Sequence, residues 1–349
     1  MRRAIGHRRP PAPDIAGTAT RTWIEPSGAR LAASSLRMAI LVPILMLLAG
    51  GTLVWMGHAA LAQRVEDNIR ERVVDQTASI ARAAEDSLQQ AQPLLGFVRN
   101  HALAQPTPDP ESFTALGAAL MRHRPGISYI SLSYTDGSFL GVFVDHARDD
   151  VVRLNHSWIE PDGTTTQRFS DIVGNAGLVP AETIRDAGYD PRTRPFFAPA
   201  VAAKTPVWTP PYRFFNRSET GITCAEAIRD PITGDLVAVA TVDFDLATLS
   251  EVMRAVVATG TPGSTAFVFT TAGEILASSD PSRGEHGFDA RCGAFAALIP
   301  QLPRNGDIRF FDLTTEGVPA LAGVRRIAVT SGHEWYAGIE APRDAFIAA

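Results

Sequence analysis

"ISYISLSYTDGSFLGVF", residues 127 to 143, decides how this chain folds. Two β-rich runs flank Asp136-Gly137, a dipeptide suited to the tight turn of a hairpin. "ITCAEAIRDPITGDLVAVATVDF" (222–244) repeats the design around "DPITG", and "STAFVFTTAGEILASS" (264–279) repeats it with a turn near Ala272-Gly273. A short helical stretch, "LATLSEVMRAVVA", separates the last two, and further strands are expected near "DIRFFDL", "VPALAGVRRIAV" and "EWYAGIEAP". The first and third hairpins are alike, each opening with an aromatic-rich strand and a turn glycine. This is a weak internal repeat: two sheets in tandem, joined near residues 250–262. Each half has room for a five- or six-stranded antiparallel sheet with flanking helices, so the class is α+β.

Upstream of the hairpins the chain is helical and begins in a membrane. Residues 1–37 carry seven arginines against Asp14 and Glu25, a net +5 within a chain of net −5. Between Arg37 and Arg64 there is no Asp, Glu, Lys or Arg, and "MAILVPILMLLAGGTLVWM" (38–56) has the length that crosses a bilayer, about 20 apolar residues. The arginines before it and Glu66 and Asp67 after it place the N-terminus in the cytoplasm and the body outside, in the periplasm or extracellular space. A signal peptide cleaved after "AALA" at Ala62 is the competing reading, although its leading segment would be long and its apolar run exceeds the usual 7–15 residues or so. Beyond the membrane, Ile69, Val73, Thr77, Ile80, Ala84, Leu88, Ala91, Leu95 and Val98 recur at steps of three or four, the seam of one long amphipathic helix. "AQPTPDPES" ends it. Such a helix packs on a domain, serves as a stalk for dimerisation, or does both.

The body carries the remaining net −10, which argues against nucleic acid as its partner. Gly-x-Ser-x-Gly, His-Glu-x-x-His and Walker A motifs are absent, "GTPGST" (260–265) lacks the phosphate-loop lysine, and the eight histidines have no metal-ligand spacing. No cofactor, metal or catalytic group is expected. Cys224 and Cys292 are read as two separate buried residues.

"YDPRTRPFF" (189–197) holds two arginines between Pro191 and Pro195, beside an aromatic cluster. It is either a proline-braced turn with solvated arginines or a preorganised clamp for a small anion.

At this point the residues resemble a family. The membrane-emerging helix, "SYISLSYTDGSF", "YDPRTRPFF", "VWTPPY" and "GDLVAVATVDFDLATLS", in that order, resemble the double Cache sensor domain of bacterial membrane receptors over residues 58–345. The segment from Gly221 to Ser250 is most similar to the cyclase-linked versions. The resemblance implies two tandem PAS-like sheets: a tail (1–37), a transmembrane helix (38–57), a stalk helix (58–103), a membrane-distal subdomain with the ligand site (104–250) and a membrane-proximal subdomain (251–349). It implies that Tyr189, Arg194, Tyr212 and Asp243 match ligand-binding positions of amino-acid-binding members, Arg194 for a carboxylate and Asp243 for an ammonium. Phe196 and Phe197 stand where those members have Trp and Tyr, and Phe214 stands at a second acidic position. Each donor lost is worth about 0.5–1.5 kcal/mol, more against a charge. A carboxylate, an amine or an amino-acid-like molecule is the expected ligand.

The expected function is therefore a membrane-anchored extracytoplasmic small-molecule sensor, acting as a homodimer. The alternatives are a ligand-free Cache dimer that positions partners and, in the enzyme class, an anchored hydrolase using Asp243 and Asp245. Without a second apolar run, the chain is expected to be a sensory fragment or a subunit that signals through a partner.

Overall fold

The computed structural model describes residues 27–122, 124, 126–145, 148, 151–174, 177–215, 220–280, 299–302, 305–315, 317–328 and 334–343. The chain divides into two units, residues 1–63 and 64–349, and helix α1 (Ser27–Gln89) contributes to both. In the first unit the side chains from Met38 to Met56 are all exposed. The most apolar 18-residue window has a mean hydropathy of 2.2, and this is the one helix among the described residues long and apolar enough to cross a membrane. Exposed leucines such as Leu47 and Leu48 find no protein partner here; a bilayer supplies one. Thr52 Oγ1 donates to the Ala49 carbonyl at 2.8 Å, so its hydroxyl is satisfied within the helix.

In the second unit, all nine seam positions read from the sequence are buried. The expected single helix is instead two. α1 stops at Gln89 and α2 (Ala91–Ala104) begins beyond Gln90, because Pro93 has no N–H to give the Gln89 carbonyl. Helix α3 (Pro110–Met121) follows, with Asp109 as its cap: a carboxylate oxygen accepts from the Ser112 N–H.

Nine strands form the first sheet: β1 (Tyr129–Tyr134), β2 (Phe139–Asp145), β3 (Val151–Ile159), β4 (Thr165–Val173), β5 (Gly177–Arg185), β6 (Val207–Trp208), β7 (Tyr212–Arg213), β8 (Thr220–Arg229) and β9 (Leu236–Asp245). Their order is β5-β4-β3-β2-β1-β9-β8-β6, with β7 also paired to β8. A short helix α4 (Phe197–Ala202) lies between β5 and β6, and α5 (Leu246–Ala258) leads to the second sheet. That sheet has β10 (Thr265–Thr270), β11 (Ile275–Ser278), β12 (Arg309–Thr315), β13 (Val318–Ile327) and β14 (Trp335–Pro342), ordered β11-β10-β14-β13-β12. All pairings are antiparallel.

The repeat is real at the level of topology. In each sheet the opening strand (β1, β10) lies between its hairpin partner (β2, β11) and the last strand (β9, β14), which pairs in turn with the strand before it (β8, β13). The first sheet exceeds the expected five or six strands because β3, β4 and β5 extend one edge. β4 and β5 are largely polar and partly to fully exposed, without the apolar alternation that marks a core strand, whereas β3 alternates Val152, Leu154 and Trp158 with Arg153, Asn155 and Ser157.

Alternation sorts the first sheet's two faces. Ile130, Leu132, Leu140, Val142, Leu154, Ile222, Val242 and Phe244 are buried in the main core with α2 and α3. Gly117 of α3 allows close approach there, since a Cβ on it would lie 2.6 Å from a Val142 methyl. Cys224 is buried in the same core; Cys292 lies outside the described residues. Trp208 also turns to this side and meets Phe244 (5.6 Å) and Trp335 of the second sheet (5.2 Å), so it joins the two sheets. On the second sheet, Gly323 admits α1: a Cβ there would lie 2.5 Å from Thr77 Oγ1 and 2.8 Å from a Val73 methyl. Arg343, after β14, binds both Glu66 of α1 and Asp312 of β12.

Candidate ligand-binding cleft

The other face of the first sheet is built by odd-numbered residues. Across the strands, Thr223, Asp243, Tyr129, Phe143 and Arg153 form one row; Ala225, Thr241, Ser131, Gly141 and Asn155 form the next. Helix α4 and the Phe196 that precedes it cover one end, Phe196 and Ala200 packing with Ala225 and Val239. Beside it lies a small cleft, open on one side. Tyr129, Ser131, Phe139, Asn155, Gln167, Tyr189, Arg194, Phe196, Tyr212, Phe214, Phe215 and Asp243 line it.

The loop from Tyr189 to Phe197 separates its two arginines by local geometry. Asp190 caps a 3-10 turn at Pro191–Thr193, accepting from the Arg192 N–H at 2.9 Å. The Arg192 guanidinium folds back on the Asp190 carboxylate at 2.8–3.2 Å and donates to the Thr135 carbonyl at 3.1 Å. Arg192 therefore staples the loop to the β1–β2 turn. Pro195 holds Arg194 in extended backbone, φ −77° and ψ 151°, and its side chain reaches the cleft. There Arg194 Nη2 donates to the Arg213 carbonyl at 2.9 Å, and the guanidinium lies 5.5 Å from the Tyr212 ring centroid and 5.7 Å from that of Phe215. The remaining guanidinium N–H groups have the fork geometry that meets a carboxylate.

Two buried phenols stand near this cation. Tyr189 packs against Phe139 (5.1 Å) and Phe215 (4.9 Å). The Tyr212 hydroxyl shares a 2.6 Å hydrogen bond with Thr223 Oγ1. Burial raises the pKa of both; Asp243 raises them further while Arg194 opposes it. Both phenols stay neutral and able to donate, and both feel the cation and the carboxylate. Asp243 is 8% exposed, opposite Tyr129 on one side and Thr223 on the other.

Of the residues expected from the sequence, Tyr189, Arg194, Phe196, Tyr212 and Asp243 are brought together. Phe197 is not among the lining residues: it is the first residue of α4 and packs, half-buried, with the Phe196 cluster. Asp245 is not half of a carboxylate pair. Its oxygens cap α5, accepting from the Thr248 N–H at 2.6 Å and hydroxyl at 2.7 Å. Among the described residues no cluster of His, Cys, Asp and Glu could hold a metal ion.

Seven lining residues escaped the sequence reading as contributors. Tyr129, Ser131 and Phe139 were legible in principle, since Tyr129, Ser131 and Ser133 alternate with Ile130 and Leu132 and so mark a polar face. Asn155 was legible in the same way, on the polar side of the β3 alternation with Val152, Leu154 and Trp158, whereas Gln167 sits on a strand with no clear signature. Phe214 was noted only as a departure from an acidic position; it seats on Gly221, where a Cβ would lie 2.1 Å from its ring. Phe215 sits at the turn following β7 and had no signal.

No protein-family model matches the chain, and no curated protein matches its sequence. Solved structures do. The ligand-binding domain of the Pseudomonas fluorescens chemoreceptor CtaA, in complex with L-isoleucine, matches with a TM-score of 0.52 at 18% identity, covering 82% of this chain and 97% of that one. The fold is dCache-like. The domain of Pseudomonas aeruginosa PctB, in complex with L-Arg, matches at 0.50 and 20% identity, covering 82% of this chain and 99% of that one. That of Campylobacter jejuni Tlp3, with 4-methylisoleucine, matches at 0.51 and 18%, covering 81% of this chain and 93% of that one. The body therefore has a dCache-like fold, and one long apolar helix precedes it in the chain.

Proposed function

We propose that this chain is an extracytoplasmic sensor that binds a small zwitterion or carboxylate in the cleft of its first sheet. One observation carries the reading: Arg194, two neutral phenols and Asp243 converge on a single small cleft, offering opposite charges to the two ends of an α-amino acid. The sensor domains of similar fold are described with L-isoleucine and L-Arg bound. Calorimetric titration of the full chain in detergent micelles with L-amino acids, short carboxylates and amines tests it. Saturable binding that Arg194→Ala removes supports the reading, and silence across the panel overturns it.

The arginine-rich tail and the acidic flank of the apolar helix put the N-terminus in the cytoplasm and the cleft outside. An alkaline phosphatase fusion at Ala349, which needs an oxidising compartment to form its disulfides, is then active, and an expressed but inactive fusion reverses the orientation. Two copies pair along α1 and α2, and the ligand-induced change passes to an output module, of which a cyclase is the one favoured by the segment from Gly221 to Ser250.

A further inference from the structure

Tyr189, Arg194, Phe196, Tyr212, Phe214 and Phe215 line the cleft from a single segment, residues 189–215. The later part of that segment is held by strand pairing, since β6 and β7 both run beside β8. The earlier part, which carries Arg194, is not a strand. Its place depends on the 3-10 turn at Pro191–Thr193 and on what that turn is tied to.

The turn is braced to move as one piece. The Asp190 carboxylate accepts from the Arg192 N–H at 2.9 Å, and the Asp190 carbonyl accepts from the Thr193 N–H at 3.1 Å and hydroxyl at 2.8 Å. The Arg194 N–H donates to the Pro191 carbonyl at 3.1 Å, and Pro191 and Pro195 fix two further φ angles. Arg192 and Arg194 thus ride on one rigid unit, so whatever anchors the first guanidinium aims the second. The anchor is the β1–β2 turn. Arg192 reaches the Thr135 carbonyl at 3.1 Å, and its guanidinium rests on Gly137, where a Cβ would lie 3.3 Å from Arg192 Cζ. Gly137 has φ +92°, so the turn favours glycine by its backbone, and the missing side chain leaves the surface that Arg192 covers.

Exposure decides what this anchor does. The Arg192 and Asp190 side chains are 39% and 25% exposed, and an ion pair this open adds little to folding stability. Arg192 is also not among the residues that line the cleft. Its bonds hold a loop in place. A loop docked in advance binds with its intrinsic affinity, whereas one docked a tenth of the time binds about 10-fold more weakly.

We infer that Arg192 is a positioning residue of the cleft: its hold on Asp190 and on the Thr135 carbonyl keeps Arg194 in its binding position, and so sets affinity without touching the occupant. This rests on the proposed sensor reading. The test uses the full chain in detergent micelles and the tightest binder among L-isoleucine, L-arginine, propionate and ethylamine. Affinities and association and dissociation rates are measured for the wild type, Arg192→Ala, Asp190→Asn and the double variant. Asn still caps the turn but lacks the charge that holds the guanidinium. Arg192→Ala is expected to bind about 10-fold more weakly, through slower association at an unchanged dissociation rate, because only the docked fraction falls. Asp190→Asn shifts the same way by less, and the double variant is no weaker than Arg192→Ala, since both changes remove one anchor. Melting temperatures stay close to wild type. Wild-type affinity in Arg192→Ala, a loss carried by faster dissociation, or additive losses overturn the positioning role and leave the sensor reading in place. A loss matched by a fall in melting temperature overturns it too, assigning Arg192 to the fold. Silence of the wild type toward all four compounds sinks both readings.

Discussion

The Arg194 guanidinium lies 5.5 Å from the centroid of the Tyr212 ring and donates to the Arg213 carbonyl at 2.9 Å. It is thus held by one backbone oxygen and two aromatic faces, rather than by a carboxylate of its own, as Arg192 is held by Asp190. An arginine positioned in this way keeps most of its donors for a ligand. Arg194→Ala is expected to cost about 2–5 kcal/mol of binding, the loss when a buried charged partner is deleted, with little change in melting temperature. Arg194→Lys restores little, because an ammonium cannot reproduce the fork. Asp243→Asn weakens ligands that carry an amine and leaves plain carboxylates as tight or tighter. Calorimetry on the three variants reads all of this, and wild-type affinity in Arg194→Ala refutes the clamp.

Gly141 lies beneath two rings that line the cleft. A Cβ there would stand 2.2 Å from Tyr129 Cε1 and 2.8 Å from the Phe139 ring. Gly141→Ala must push two lining rings, so it is expected to destabilise by about 1–3 kcal/mol and to weaken ligand binding without altering any charge. Chemical denaturation and titration of the same variant separate the two effects; unaltered affinity would show that Tyr129 and Phe139 do not shape the site.

Gly323 is the corresponding close approach for α1. Gly323→Ala meets Thr77 Oγ1 and Val73 and should cost about 1–3 kcal/mol. Combining it with Thr77→Ala should recover part of that loss, since the first obstacle is then gone. A double-mutant cycle measures the recovery, and strict additivity would mean that α1 yields elsewhere.

His156 on β3 supplies a pH dependence. Burial, and secondarily the Arg168 guanidinium, lower its pKa to about 4 from 6.5. The imidazole is neutral in the folded chain, yet protonates in the unfolded chain as pH falls below about 6.5. Protons therefore favour unfolding between pH 6.5 and 4, and stability present at neutral pH is lost through that window, by up to about 3 kcal/mol. Denaturant melts at pH 7.5 and 5 should diverge for the wild type and much less for His156→Gln. Equal pH dependence in both would assign the effect to carboxylates.

The helical seam, the three hairpins and the proline-braced loop were legible in the sequence. Each depends on residues close together in the chain: spacing of three or four for the buried side of α1 and α2, a turn glycine for each hairpin, and Pro195 fixing the backbone of Arg194. The long helix was legible too, except for its break at Gln90. That Arg192 would be spent on Asp190 and Arg194 left for the cleft was not legible, because both stand in the same motif and only the docking of the loop on Thr135 tells them apart. Nor was the role of Gln167, or the departure of Phe197 into the α4 cluster. A strand's own pattern says which residues share a face, whereas the register of β3 against β2 and of β4 against β3 decides what that face meets. Chain chemistry by itself determined the helices, the three hairpins and the charge-bearing end of the site, but not the edge strands β3, β4 and β5. Only tertiary pairing decided the strand-borne side of the site, because antiparallel ladders bring residues tens of positions apart into one row.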